Sequence, residues 1–251
     1  MIGFFRKIRR KLADQNKLVQ YSRYAFGEIL LVVIGILIAL SINNWNESNK
    51  TKKIELKLLN ELREDLLETK EDLLSDIEKA KLLLSATDSL YQSAMTNKWE
   101  QMKFSLDFIY ETPRLFPKLS AYKSIQAFGV NIISNDSLRK IITNFYELQL
   151  ERVNYGESLI IKLNENELKQ LLDDVSIPIS HCPDCESLFE LYNGVVTGHK
   201  KMYHINQPNT KIIHLLQEKF NLVQGLLNSR YNVTEMHIEI MINLINKELN
   251  N

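Results

Sequence analysis

The chain is poor in the residues that turn or break a backbone. Only 8 glycines and 5 prolines occur among its 251 residues. Folds made of many short strands need frequent turns, and turns draw heavily on these two residue types. The scarcity argues against such folds and predicts an all-α protein built from long helices.

Sequence motifs that mark catalytic sites are also missing. The chain has no glycine-rich phosphate loop, no G-x-S-x-G, no H-E-x-x-H and no internal repeat. We therefore predict that the protein is not an enzyme and holds no cofactor. Its zero net charge conceals an asymmetry, because residues 1–24 contain seven basic side chains and one acidic one, a net of +6, which leaves −6 for the remainder.

One long apolar run is present. Residues 25–42 are interrupted only by Glu28, and eighteen helical residues span roughly 27 Å, close to the thickness of a bilayer core. Tyr24 and Trp45 flank the run as interfacial anchors. The sequence predicts a transmembrane helix over 25–45. The alternatives are a buried core helix and a signal peptide cleaved near Ala39.

Three residues within this run have their own interpretations. Glu28 lies one turn inside the start, so its carboxylate can reach the headgroups; the alternative is a protonated or paired carboxylate inside the membrane. Gly35 and Ala39 form a small-xxx-small pair that favours close packing of two such helices.

Before the run, residues 1–24 form a basic segment that is amphipathic over 2–20. Such a segment binds anionic lipid headgroups on the cytoplasmic leaflet, and nothing in it resembles a nucleic-acid-binding motif. Because short basic flanks stay inside, we expect a cytoplasmic N-terminus and an exported domain over 46–251.

Two long amphipathic helices are predicted in that domain, over 52–96 and 209–249. Apolar residues recur in both at a mean step of about 3.6 residues. The two helices are expected to pair in antiparallel fashion around a smaller helical insertion over 99–205. Within the insertion, Gly129 should end one helix, and Ser134 or Asp136 should cap the next. The acidic pairs Glu64–Asp65 and Glu71–Asp72 are expected on a solvated face, with a metal or acid–base site as the alternative.

The segment after residue 180 has the most suggestive chemistry. Cys182 and Cys185 are followed by His199 and His204 with the spacing C-x2-C-x13-H-x4-H, which fits a tetrahedral zinc site. In an oxidising compartment, however, a close cysteine pair favours a disulfide. A redox-active pair is the third interpretation.

Two blocks carry a resemblance to a known family. GEILLVVIGILIALSINNWNE and AYKSIQAFGVNIISNDSLRKIITNFYE resemble a family of uncharacterised single-pass membrane proteins from Gram-negative bacteria. The resemblance implies an inner-membrane protein with a periplasmic domain, and it implies no activity.

Three functions are compatible with these features. The first is an envelope scaffold or accessory protein that binds a protein partner or a second copy of itself. The second is an extracytoplasmic ligand-binding or sensor module that relays through a partner. The third is a zinc or redox role at Cys182 and Cys185.

Overall fold

The structure is a computed structural model that describes residues 18–96, 98, 104–179, 202–205 and 210–250. These residues are almost entirely helical, which confirms the all-α prediction. The chain divides into two units, Met1–Glu55 and Leu56–Asn251. The first long helix, α1 (Leu18–Met95), contributes residues to both.

The second unit contains two further helical runs, each about as long as the part of α1 that belongs to it. Both runs are α-helical except for single π-helical turns, which insert one extra residue without breaking the helix. The shorter helices before them are α2 (Leu106–Tyr110) and α3 (Ser120–Phe128). The first run comprises α4 (Asp136–Asn144), a π turn (Phe145–Gln149), α5 (Leu150–Leu163), a π turn (Asn164–Leu168) and α6 (Lys169–Val175). The second comprises α7 (Thr210–Leu226), a π turn (Leu227–Tyr231) and α8 (Asn232–Leu249).

The predicted pairing of the first and last helices is confirmed. Lys70 Nζ of α1 lies 2.7 Å from Glu239 Oε1 of α8. Further along α1, the charge of Asp76 raises the pKa of Tyr231, which precedes α8. As the residue number rises along α1, the number of the contacted residue in the last helical run therefore falls, as an antiparallel pair requires. Within the insertion, residues 136–175 (α4 to α6) form a third long helical run, which we call the third run.

Between α2 and α3, residues 111–119 form neither helix nor strand, a segment that we call the strap. Pro113 and Pro117 explain why no helix forms here, since proline lacks the N–H that a helix interior needs. The strap runs back along α1: Lys118 bonds to Thr69, and Phe116 bonds to Asp72. The strap and its two short helices therefore occupy the fourth position of an antiparallel bundle.

The core follows the predicted helical period of α1. Its fully buried members include Leu58, Leu62 and Leu66, and the same stripe continues to Leu90. Beside this stripe, Leu59 and Leu83 are buried, whereas Leu67 and Leu74 are about half exposed. These last two leucines lie one turn to either side of Lys70, on the face next to α8.

A small sheet lies beyond the third run. Strands β1 (Ser176–Pro178) and β2 (Tyr203–Ile205) pair in antiparallel fashion, with Ile177 opposite His204, and Phe104 bridges to Tyr203. Ile205 and Phe104 contribute to a core cluster with Leu90, Leu168 and Leu216.

Helix boundaries near the strap follow local chemistry. Gly129 has a positive φ of 88° and ends α3, as predicted, because this conformation is strained for other residues. The cap of α4 was predicted wrongly by one residue. Asn135, rather than Ser134 or Asp136, accepts hydrogen bonds from the backbone N–H groups of Ser137 and Leu138, both at 3.0 Å.

Candidate functional site

The acidic face of α1 holds the strap. Asp72 Oδ2 accepts a hydrogen bond from Phe116 N at 3.2 Å, and Thr69 Oγ1 accepts one from Lys118 N at 3.0 Å. Chain outside helices and strands leaves backbone donors that need acceptors. The sequence assigned Asp72 to a solvated face and missed this role, which depends on a segment more than forty residues away.

Asp65 continues this pattern at the start of α3. Its Oδ2 accepts from Ala121 N at 2.8 Å and from Ser120 Oγ at 2.7 Å. Leu119 occupies the N-cap position of α3, and its aliphatic side chain cannot accept a hydrogen bond from the backbone N–H groups there. Asp65 therefore supplies from α1 the carboxylate that the helix N-terminus lacks.

Replacing Asp65 by alanine should lower the free energy of unfolding by about 1 to 3 kcal/mol, the usual cost of orphaning hydrogen-bonded groups. Thermal unfolding of the full chain in detergent, followed by far-UV circular dichroism, measures the change. Glu64→Ala is the matched control, since Glu64 is exposed and should change stability by less than about 0.5 kcal/mol. Equal effects of the two substitutions would contradict the assigned role.

Glu157 of α5 is a buried carboxylate that joins three elements. Its Oε1 accepts from Leu115 N of the strap at 2.9 Å and from Tyr231 Oη at 2.8 Å. Burial raises the pKa of Glu157, while these two donors and Arg114 act in the opposite direction. The carboxylate thus fixes the strap to the two runs packed beneath it.

Asp76 lies near this carboxylate on α1. It is buried, Lys79 Nζ contacts its Oδ1 at 3.2 Å, and its Oδ2 has no hydrogen-bond partner in the described part of the chain. Burial raises the pKa of Asp76, and the negative charge of Asp76 in turn raises the pKa of Glu157. The charge of Asp76 on α1 therefore opposes ionisation of the buried Glu157 on α5.

A second polar cluster surrounds Lys219 of α7. This lysine is fully buried and donates hydrogen bonds to the carbonyl oxygen of Ile109 and, at 2.7 Å, to Asn164 Oδ1. The amide of Asn164 in turn donates to the carbonyl of Tyr110 and to Thr112. Burial lowers the pKa of Lys219 to about 7.

The π turns carry several of these polar groups. Asn164 and Tyr231 each lie in one, and Gln149, in the third, donates to Thr234 Oγ1 at 3.0 Å. Such turns often occur where a side chain must point in a direction that a regular helix does not allow. The sequence analysis did not identify Lys219 as a buried residue. A lysine three residues after Leu216 and four before Val223 was the available signal for a buried cation.

A cavity of about 300 Å³ lies between the strap and α5. Arg114 and Phe116 line it from the strap, and the Arg114 guanidinium lies 5.5 Å from the centre of the Phe116 ring. Tyr146 and Glu157 line it from the other side. The ring of Tyr146 stacks on that of Tyr122, with 4.2 Å between the ring centroids. The cavity places charges of both signs beside apolar and aromatic surface.

The residues predicted for the anchor all lie in α1. Gly35 has open space around its Cα, and Ala39 and Trp45 are exposed. Glu28 is half-buried. From 26 to 42, the large apolar side chains of this helix are exposed. By length and composition, α1 is the one helix of the described residues that could cross a membrane.

The cysteine–histidine pattern falls largely outside the described residues. Of its four members, only His204 is described; it lies in β2, and its buried Nδ1 has no hydrogen-bond partner in the described part. Cys182, Cys185 and His199 lie in 180–201, so the zinc and disulfide interpretations stay predictions. Within the described ranges, no group of three His, Cys, Asp or Glu side chains is placed to hold a metal ion.

Fold and site together define a class: a helical bundle whose apolar core contains buried polar clusters, with an exposed apolar stretch over 26–42 of its first helix. Comparison of the sequence with family models then identifies the family. The chain belongs to the DUF6090 family, a family of unknown function whose model matches residues 28–172. This match covers α1 from Glu28, the strap and most of the third run. No curated protein and no solved structure matches the chain.

Proposed function

We propose that this DUF6090 protein is a single-pass inner-membrane protein whose periplasmic helical bundle acts by binding another protein. The observation that carries the first part is the exposed apolar surface of α1 between 26 and 42, which water solvates poorly and a bilayer would cover. The +6 segment before it favours a cytoplasmic N-terminus.

Two arginines placed in this surface, Ile34→Arg and Leu37→Arg together, should move the protein out of the carbonate-resistant membrane fraction. Each arginine costs about 2.5 to 3.5 kcal/mol at the centre of a membrane helix. The matched control, Leu67→Arg with Leu74→Arg, puts the same charges on exposed leucines of the bundle and should leave the protein in the membrane. A C-terminal alkaline phosphatase fusion, active only outside the cytoplasm, tests the orientation. An inactive fusion, or equal fractionation of both variants, would refute the anchor as proposed.

Support for a protein partner comes from one face of the bundle. Leu67 and Leu74 of α1, with Met236 and Ile240 of α8, are exposed around the Lys70–Glu239 ion pair. The buried polar residues Lys219, Asn164 and Glu157, in contrast, each form hydrogen bonds to protein atoms. An exposed apolar face beside an internally bonded core suits association.

A photo-crosslinking residue at Leu74 or at Met236 should give a discrete adduct in cells. The same residue at Glu165, an exposed polar position on the third run, is the control and should give none. The adduct's mass distinguishes a second copy of this chain from another protein. Absence of adducts at all three positions, or equal adducts at all three, would count against the partner face.

The cavity favours a second candidate, an extracytoplasmic ligand-binding or sensor module. Its volume is at the lower end of the range for small-molecule pockets, and its wall combines apolar surface with a few polar groups. Zinc or redox chemistry at Cys182 and Cys185 remains a third proposal, which metal analysis and thiol counting before and after reduction would decide.

A further inference from the structure

The cavity beneath the strap exists because of how the fourth position of the bundle is filled. A helix there would be about 10 Å wide with its side chains, whereas a single chain that is not helical is thinner. Pro113 and Pro117 keep this segment out of a helix. The strap is held on its α1 side by Asp72 and Thr69. The space that remains lies on its other side, against α5.

Three charged side chains line this space, the cation Arg114 and the carboxylates Glu151 and Glu157, and Arg114 forms an ion pair with neither carboxylate. Arg114 stacks on Phe116, and no carboxylate of the described part lies within ion-pair distance of its guanidinium. Glu157 is buried, and its Oε1 accepts two hydrogen bonds, whereas a carboxylate has about four acceptor sites. Each group therefore keeps capacity for a ligand group of opposite charge.

Between these charges the lining is apolar. Leu150 and Val153 of α5 and Leu119 of the strap contribute aliphatic surface. Tyr146 also lines the cavity, and its buried hydroxyl has no hydrogen-bond partner among the described residues. A ligand that matches this lining carries a cation, an anion and an apolar group within a small volume.

We propose that the cavity binds a small zwitterion with an apolar side chain, which is the chemistry of an aliphatic or aromatic amino acid, free or in a short peptide. The ammonium group faces Glu157, the carboxylate faces Arg114, and the side chain packs against Leu150 and Val153. This inference rests on the second function proposed above, the ligand-binding module, and names its ligand class.

Isothermal titration of the full chain in detergent tests the assignment with four probes: L-leucine, leucine amide, N-acetyl-leucine and the dipeptide Leu-Leu. Leucine or the dipeptide should bind saturably. The probe that binds more tightly shows whether the ligand is a free amino acid or a short peptide. Leucine amide lacks the carboxylate and N-acetyl-leucine lacks the ammonium. Each should bind roughly tenfold to a hundredfold more weakly, the usual loss when a hydrogen bond to a charged group is removed.

Variants separate the site from the fold. Arg114→Gln should weaken leucine binding by roughly tenfold or more and leave the unfolding temperature unchanged, because this side chain is exposed. Lys118→Gln removes a neighbouring strap cation that does not line the cavity and should not change the affinity. Equal affinity for leucine and its two capped analogues, or equal effects of the two variants, would overturn the proposal.

A thermal-shift panel of other small metabolites distinguishes failure of the proposed ligand class from failure of the proposed ligand-binding function. If none of the zwitterions binds and another class shifts the unfolding temperature, the ligand class assigned here is wrong and the ligand-binding function stands. If nothing in the panel shifts it, both fail. The membrane location and the partner face are independent of either result.

Discussion

Replacing Lys219 by alanine is expected to lower the free energy of unfolding by about 3 kcal/mol at neutral pH. The substitution leaves a cavity and removes the donor from two buried hydrogen-bond acceptors. The side chain is fully buried and ties α7 to the carbonyl of Ile109 and to Asn164. Lys219→Met should cost less, about 1 kcal/mol, since it refills the volume and removes a charge that is expensive to bury. Urea denaturation of the full chain in detergent measures both.

The same residue predicts a pH dependence. Burial lowers the pKa of Lys219 to about 7 in the folded protein, whereas an unfolded lysine titrates near 10.4. Between these values the unfolded state binds more protons, so the free energy of unfolding should rise with pH. The increase between pH 6 and pH 9 is about 2 to 3 kcal/mol. Lys219→Met should abolish this rise.

Lys211→Met is the matched control, because Lys211 lies on the same helix, is exposed and pairs with Glu167 at 3.0 Å. It should keep the wild-type slope with pH and change stability by at most about 1 kcal/mol. If Lys219→Met retained the wild-type slope, another group would be responsible for it. If Met cost as much as Ala, the lost hydrogen bonds rather than the volume would dominate.

The second large effect is expected at Tyr231, the largest fully buried side chain among the described residues. Tyr231→Ala should lower the free energy of unfolding by about 4 kcal/mol, because it removes a buried ring. Tyr231→Phe keeps the ring and removes only the hydrogen bond to Glu157, so about 1 to 2 kcal/mol is expected. Tyr155→Phe, at an exposed tyrosine of α5, is the control and should have no measurable effect.

Loss of the Tyr231 hydroxyl also changes the pH profile. Burial raises the pKa of Glu157 above its unfolded value, so its contribution to stability is present at acid pH and is lost as pH rises through the folded pKa. The hydroxyl lowers that pKa, and Tyr231→Phe should therefore raise it and move this loss to higher pH. In a Glu157→Gln background the shift should vanish. A double-mutant cycle at pH 5 and pH 8 measures the coupling, and a zero coupling at both would contradict this account.

Particular residues show what could be predicted from the sequence. Leu58, Leu62 and Leu66 follow the helical period, and they are buried because that period places them on one face. Gly129 ends α3 as predicted, because its backbone conformation is strained for other residues. Both features depend only on neighbours along the chain.

The strap and its acceptors could not be predicted in this way. Asp65 and Asp72 are spaced like any acidic residues on an exposed helix face, and nothing nearby in sequence marks them as acceptors. Their role follows from the position of residues 116–121, which run back along α1. The charge of Lys219 likewise gave no hint that Ile109 and Asn164 would surround it.

The apolar helix, the all-α class and the helical period of α1 could be predicted, because each depends on composition or on spacing along one element. The place of the third long run in the bundle, the polar clusters at Glu157 and Lys219, and the cavity beneath the strap follow from the packing of the helices. These features join residues from three or more elements. Since an acidic side chain on a helix is satisfied equally by water or by a distant backbone N–H, only the packed structure distinguishes the two.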